Sequence, residues 1–297
     1  MLRAKPPRVS RAAAAATCTA LVKIYWTATG EVHALKGVDA VFPAGTVSAI
    51  VGPSGSGKSS LMRILAGLDR PTAGSVSVGG VDISGLSTGR LRGIRRRLVG
   101  YVYQRPSDNL VAHLTVREHL QLAARLKDVD DTGDELLDDL GLSARKDALP
   151  TTLSGGEQQR LAFAQAAIGE PVLLVADEPT AELDSANGGA LLEVLVALAG
   201  RGIGVVLGTH DPQAVAVAAR TLFLRHGAVQ AETAESRRLS VIDAAGRICL
   251  PPEALALFTD RRAVLQLVDG TVVISPPSPQ AAPAIGPETW PQAAPET

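Results

Sequence analysis

Short β-prone runs stand at 46–51, 172–176 and 204–208. The last two are apolar at consecutive positions. Both faces of such strands are buried, as in a parallel sheet covered by helices on each side. Residues 59–68 carry helical spacing, which ends at Gly67 and the Asp69-Arg70-Pro71 turn. Residues 75–78 alternate as a strand does, and 115–142 read as helical. That helical stretch carries Asp128, Asp130, Asp131, Asp134, Glu135, Asp138 and Asp139, a run that reads as a solvated face. From residue 20 to about 235, strands and helices interleave, which predicts an α/β domain. Residues 1–19 lack such a pattern and are expected to be unstructured.

The pattern changes near Ser236. Residues 239–242 and 247–250 flank Ala244-Ala245-Gly246 as paired strands would, and 252–258 read as one short helix. Residues 264–268 and 271–275 flank Asp269-Gly270, a two-residue hairpin signal. The expected domains are therefore 20–235, with a helical part at about 105–160, and a small β-rich module at 236–276. A Pro/Ala-rich tail, 277–297, is expected to be disordered.

Composition narrows the function classes. Hydrophobic residues are 46% of the 297 and aromatics only 3%, so the core is built from Ala, Val, Leu and Ile. A net charge of -1 argues against a chain-wide nucleic-acid surface. Cys18 and Cys249 form no metal or disulfide pattern, which fits a reducing compartment. No apolar run reaches the roughly 20 residues that span a bilayer. The best run, 191–199, is short and contains Glu193. Arg3, Lys5, Arg8 and Arg11 before an alanine stretch imitate a targeting peptide, but the stretch is too weakly apolar and reads as a tail.

Gly52-Pro53-Ser54-Gly55-Ser56-Gly57-Lys58-Ser59 satisfies GxxxxGK[ST] between a strand and a helix. Its glycines let backbone N–H groups turn toward phosphates, and the helix start adds a positive end. Lys58 is placed to reach the β- and γ-phosphates of a nucleotide, and the Ser59 hydroxyl to bind Mg²⁺. Asp177 ends the apolar run 172–176 as a carboxylate placed to hold Mg²⁺ through water, and Glu178 follows as the candidate general base.

Leu153-Ser154-Gly155-Gly156-Glu157-Gln158-Gln159-Arg160 stands between these two motifs. With them it resembles the nucleotide-binding subunit of ABC (ATP-binding cassette) transporters, over about residues 21–230. The resemblance implies a P-loop NTPase fold: a RecA-like core, an antiparallel β subdomain and a helical subdomain. It implies ATP and Mg²⁺ as ligands and ATP hydrolysis as the activity. It assigns Tyr25 to adenine stacking, with Trp26 as a rival. Gln104 is assigned to Mg²⁺ and the attacking water, and His210 to the γ-phosphate. Ser60 joins the nucleotide-binding set. Ser154, Gly155, Gly156 and Glu157 are implied to cap the γ-phosphate held by a second subunit. Asp184, in Ala181-Glu182-Leu183-Asp184, is implied to run across that interface. The implied partners are a second ATPase subunit, as a homodimer, and an integral-membrane permease; no nucleic acid is expected. The implied location is cytoplasmic, peripheral on the inner face of the cell membrane.

Gly67-Leu68-Asp69-Arg70-Pro71-Thr72-Ala73-Gly74 and the Glu-Gln-Gln-Arg ending resemble the group serving lipoprotein release and macrolide export. The chain departs from the family at Ser60, usually Thr, at Gln165, usually Arg, and at Glu182. An importer ATPase is the alternative, or a soluble regulator whose C-terminal module binds DNA. Residues 241–251 resemble the strand pair of AbrB-like swapped-hairpin barrels. Five Arg against four Asp or Glu in 236–276 is a weak charge for DNA, so dimerisation or regulation is the expected role.

Overall fold

A computed structural model describes residues 14–28, 30–130, 132–234, 237–240, 248, 250, 252–258, 262–268 and 271–277. The chain divides into two compact units between Cys249 and Leu250.

The first unit opens with β1 (Ala14–Thr27) and β2 (Gly30–Pro43), a long antiparallel pair. Next come β3 (Val47–Val51), α1 (Lys58–Leu65), β4 (Ala73–Val78) and β5 (Val81–Asp82). α2 (Thr88–Leu98) then leads into β6 (Val99–Val102). The helical part holds α3 (Val116–Lys127), α4 (Gly133–Asp139) and α5 (Gly155–Ala167), with short 3₁₀ turns between them. β7 (Leu173–Asp177), α6 (Ser185–Gly200), β8 (Gly204–Gly208) and α7 (Pro212–Ala216) return the chain to the sheet. β9 (Arg220–Arg225), β10 (Ala228–Ala234) and β11 (Arg237–Ser240) complete it.

The main sheet has seven strands in the order β11-β10-β9-β3-β8-β7-β6. Strands β9, β3, β8, β7 and β6 are parallel, and β10 and β11 turn back antiparallel. A second sheet, β2-β1-β4-β5, is antiparallel. Both faces of the parallel strands are buried. Leu174 and Ala176 of β7 pack with α3, α5 and α6, while Leu173 and Val175 pack with α1 and the second sheet. This is the reason for the unbroken apolar runs.

Three boundaries differ from the sequence reading. The domain already includes Ala14, ahead of residue 20. The alanines read as tail are strand: Ala15 and Ala16 are fully buried. Their small size serves a close approach, because a side chain at Gly204 would run into the Cβ of Ala15. The helical run 115–142 is two helices, broken where Asp128 takes a left-handed conformation (φ 58°). The change near Ser236 does not end the domain, since β11 pairs with β10 through Ser240. The composition shift marked a surface edge, where sequence is free to drift, rather than a domain boundary.

In the second unit, α8 (Pro252–Leu255) precedes β12 (Val264–Val268) and β13 (Thr271–Ser275). Their register runs from Val264↔Ser275 to Val268↔Thr271, as a two-residue connection demands. The turn residues themselves, most of the 241–251 strand pair, and the tails 1–13 and 278–297 lie outside the described residues.

Candidate nucleotide site

β3 delivers the chain into the glycine loop and α1 leaves it at Lys58. The N-cap of α1 is Gly57 (φ 105°), which offers no side chain to the first-turn N–H groups. Those donors stay open for an anion, which the helix end also attracts. Any larger residue at Gly57 would be strained and would meet the Ala34 carbonyl. The Lys58 ammonium donates to the carbonyls of Gly52 (2.7 Å) and Pro53 (3.2 Å), so it lies over the loop. Ser56 Oγ is buried in the same loop without a protein partner. A buried hydroxyl of this kind marks a place where a polar ligand completes the structure.

β7 and β8 bring the acidic pair to this loop. The Ser59 hydroxyl donates to Asp177 Oδ2 at 2.8 Å, so two motifs 118 residues apart share one point. Burial raises the Asp177 pKa above its ordinary value, and the neighbouring Glu178 charge adds to this; Ser59 and Lys58 oppose it. Glu178 has φ 46°, and its N–H donates to the Gly208 carbonyl at 2.7 Å. That left-handed turn is unusual for Glu. It aims the carboxylate at His210, whose Nδ1 lies 2.9 Å from Glu178 Oε1. Glu178 is mostly covered (side chain 16% exposed), while His210 is open to solvent (76%). Gln104 is exposed just beyond β6. The register Val102↔Ala176 carries it to the sheet edge that holds Asp177 and Glu178.

Two residues of this region escaped the sequence reading. Thr180 donates to Asp211 Oδ2 at 2.8 Å, tying the turn after Glu178 to the segment after His210. Asp211 also caps α7 through Gln213 N–H (2.9 Å), with Pro212 in the first turn. The Asp-Pro pair is a helix-start signal readable in sequence; the bond to Thr180 is not.

Tyr25 donates its hydroxyl to Asp69 Oδ2 (2.8 Å), and Lys23 Nζ lies 4.7 Å from its ring centroid. Burial raises the Tyr25 pKa above its ordinary value, and Ser60 on α1 opposes this. Trp26, its neighbour on the strand, projects into solvent at 78% exposure. Of the two, Tyr25 is the one held in place, through its bond to Asp69.

Ser154 caps α5 in a reciprocal box: Glu157 N–H donates to Ser154 Oγ (3.3 Å), and Ser154 N–H to Glu157 Oε2 (2.8 Å). The other Glu157 oxygen accepts from Arg145 Nε at 3.0 Å. Glu157, expected among the nucleotide ligands, therefore has both oxygens engaged and serves as cap. Asp184, also expected there, caps α6, accepting from Asn187 N–H (2.9 Å) and its side-chain amide (2.8 Å). A Cβ at Gly156 would stand 2.5 Å from Asn187 Oδ1, so the second signature glycine is where α5 and α6 touch. Among the described residues, no hydrogen bond or ion pair joins 153–160 to the glycine loop 52–59.

The donor set fits ATP with Mg²⁺: open helix N–H groups, an ammonium, an orphaned loop hydroxyl, and a hydroxyl–carboxylate pair. Comparison with known proteins agrees. A family model described as ABC transporter matches residues 35–181. The chain is 40% identical over 204 residues to the macrolide export ATP-binding/permease protein MacB of Shigella flexneri, covering 67% of this chain and 31% of that protein. It is 40% identical over 218 residues to MacB of Rhodospirillum rubrum, covering 70% and 33%. The chain thus spans about a third of the length of these relatives. The dimeric structure of MJ0796, a bacterial ABC transporter cassette, superposes with a TM-score of 0.67 at 32% identity. That match covers 75% of this chain and 99% of that one. A second dimeric structure of MJ0796, post-hydrolysis with ADP and Pi, gives 0.67 at 33%. On motif, fold and likeness together, the chain belongs to the ABC transporter family, as an ATP-binding cassette of P-loop NTPase fold.

Proposed function

We propose that this chain is the ATP-hydrolysing motor of a membrane exporter, working as a symmetric pair of cassettes beneath a separate permease. One observation carries the reading. Ser59–Asp177 and Glu178–His210 assemble a hydrolytic centre on this chain, while the signature motif 153–160 makes no bond to that centre. A signature without a task in its own site has one in the site of a second subunit. The open start of α5, at Gly155 and Gly156, there faces the γ-phosphate held by the other chain.

Within each site the residues divide the work. Tyr25 supports the adenine, Ser60 steadies Tyr25, and the N–H groups of 52–59 with Lys58 hold the phosphates. Ser59, Asp177 and Gln104 hold Mg²⁺, which when bound draws charge from the transferring phosphoryl group. Glu178 takes a proton from the attacking water. The His210 ring, with Nδ1–H donating to Glu178, fixes the carboxylate, and Nε2, when it too carries a proton, is free to donate to the γ-phosphate. Asp184 carries the subunit contact into α6.

The relatives named as macrolide export proteins support an export direction. Among the described residues no helix is long and apolar enough to cross a membrane. The test is Glu178→Gln. The variant keeps ATP binding, loses about 10²–10⁴-fold in hydrolysis, and accumulates as an ATP-dependent dimer. Pull-down from membranes in that background should recover a permease with few spans. A permease pair with a soluble binding protein would make the system an importer, and wild-type turnover in the variant would sink the assignment of Glu178.

A further inference from the structure

We propose that α2 is an anionic-lipid contact, through which the cassette touches the membrane surface directly rather than only through a permease. The helix packs Leu91, Ile94 and Leu98 against the core between α1 and the second sheet. It carries Arg90, Arg92, Arg95, Arg96 and Arg97 and no acidic residue. Four of these, Arg90, Arg92, Arg96 and Arg97, are exposed. Elsewhere among the described residues four arginines are ion-paired, Arg117 with Asp134, Arg145 with Glu157, Arg201 with Asp139 and Arg220 with Glu232, while the other unpaired arginines, such as Arg63, Arg105, Arg125 and Arg225, are not gathered on one helix. Among the described residues, none of the five on α2 has an ion pair or a side-chain hydrogen bond.

The helix dipole accounts for only part of this concentration. Arg95, Arg96 and Arg97 lie in the last turn, where cations meet the negative end of the helix. Arg90 stands in the first turn, where a positive charge opposes the helix dipole. Arg92 and Arg96 are four apart, a repulsive spacing on one face. A chain of net charge -1 thus holds a locally unfavourable positive surface.

The layout selects the partner. Arg90 and Arg97, seven apart, share one side of the helix; Arg92 and Arg96 share another. The guanidinium groups therefore spread over the whole exposed arc and line no groove. Such an array suits a flat, fluid field of phosphate headgroups better than one enclosed phosphate. Each arginine near an anionic leaflet is worth about fivefold in partition. Four exposed ones together favour an anionic surface by about 600-fold, and the contact strengthens further for a chain already tethered. The choice of lipid rests on the reading of the chain as a membrane motor.

Flotation of the full chain with vesicles tests the proposal. Phosphatidylcholine vesicles should leave the protein in solution, and vesicles with added phosphatidylglycerol should carry it up, less so as salt rises. Combined Arg90→Gln, Arg92→Gln, Arg96→Gln and Arg97→Gln should reduce that partition by about 600-fold, with basal ATP hydrolysis unchanged. Equal flotation of wild type and variant, or no flotation of the wild type, overturns the proposal. Tighter binding to a single-stranded oligonucleotide than to vesicles at the same salt, lost in the same variant, reassigns the surface to nucleic acid and also overturns it. The assay contains neither permease nor nucleotide, so its failure leaves the motor reading standing. Failure of the permease pull-down alone removes that reading and not this one.

Discussion

Glu178 is held by its backbone before its side chain does anything: the left-handed turn and the bond to Gly208 fix where the carboxylate starts. His210 then fixes where it ends. A hydrogen bond to a charged acceptor is worth about 1.5–3 kcal/mol. Loss of that constraint should therefore cost about 10–100-fold in turnover. His210→Ala is expected to retain nucleotide affinity and lose hydrolysis by that factor, read from phosphate release alongside equilibrium binding. Residue types at this scale were legible in sequence: Lys58, Ser59, Asp177, Glu178 and His210 are recognised by motif and by position after apolar strands. The conformations were not. Nothing in the string Asp-Glu-Pro-Thr announces φ 46° at Glu178 or the Thr180–Asp211 bond, because both depend on a strand that arrives about thirty residues later. The same limit explains Glu157 and Asp184, whose acidic side chains turned out to cap helices.

At the scale of elements, two clasps hold the signature helix. The Lys127 ammonium at the end of α3 donates to the carbonyls of Ala166 (2.8 Å) and Ile168 (2.6 Å) at the end of α5. Lys127→Met leaves both unpartnered and should cost about 1–3 kcal/mol, seen as a lower denaturation midpoint. Burial pushes the Lys127 pKa from 10.5 down to about 8. A lowered folded pKa means that the unfolded chain binds more protons between pH 8 and 10.5. The contribution of Lys127 to stability is thus fullest above that window and falls as pH drops through it. The stability gap between wild type and Lys127→Met should widen from pH 8 to pH 10.5 in denaturant titrations. At the other end of α5, Gly156 meets Asn187. Gly156→Ala should destabilise by about 1–3 kcal/mol through overpacking, and Asn187→Ala in the same chain should restore most of it. The helices themselves were readable, though the break at Asp128 was missed. An acidic run looks the same whether it lies along one helix or at the turn between two.

For the whole molecule, the edge at β11 decides where the cassette stops. A chain ended after residue 249 keeps β11 and should match the full chain in denaturation midpoint. One ended after residue 235 bares β10 as an edge, and should show a lower midpoint and concentration-dependent aggregation by light scattering. The sequence by itself determined the chemistry and the class of fold. Phosphate binding needs glycines, a lysine and a hydroxyl at fixed spacing along one loop, and a buried parallel strand needs an unbroken apolar run. Both are local demands, written in consecutive residues. Only the tertiary structure decided that alanines 14–16 are a central strand, that β11 belongs to the main sheet, and that the five arginines of α2 have no ion pair among the described residues. It also decided that Ser59 meets Asp177 and Glu178 meets His210. Each of these is set by what packs alongside from elsewhere in the chain, and pairing across long separations leaves no spacing rule in the sequence.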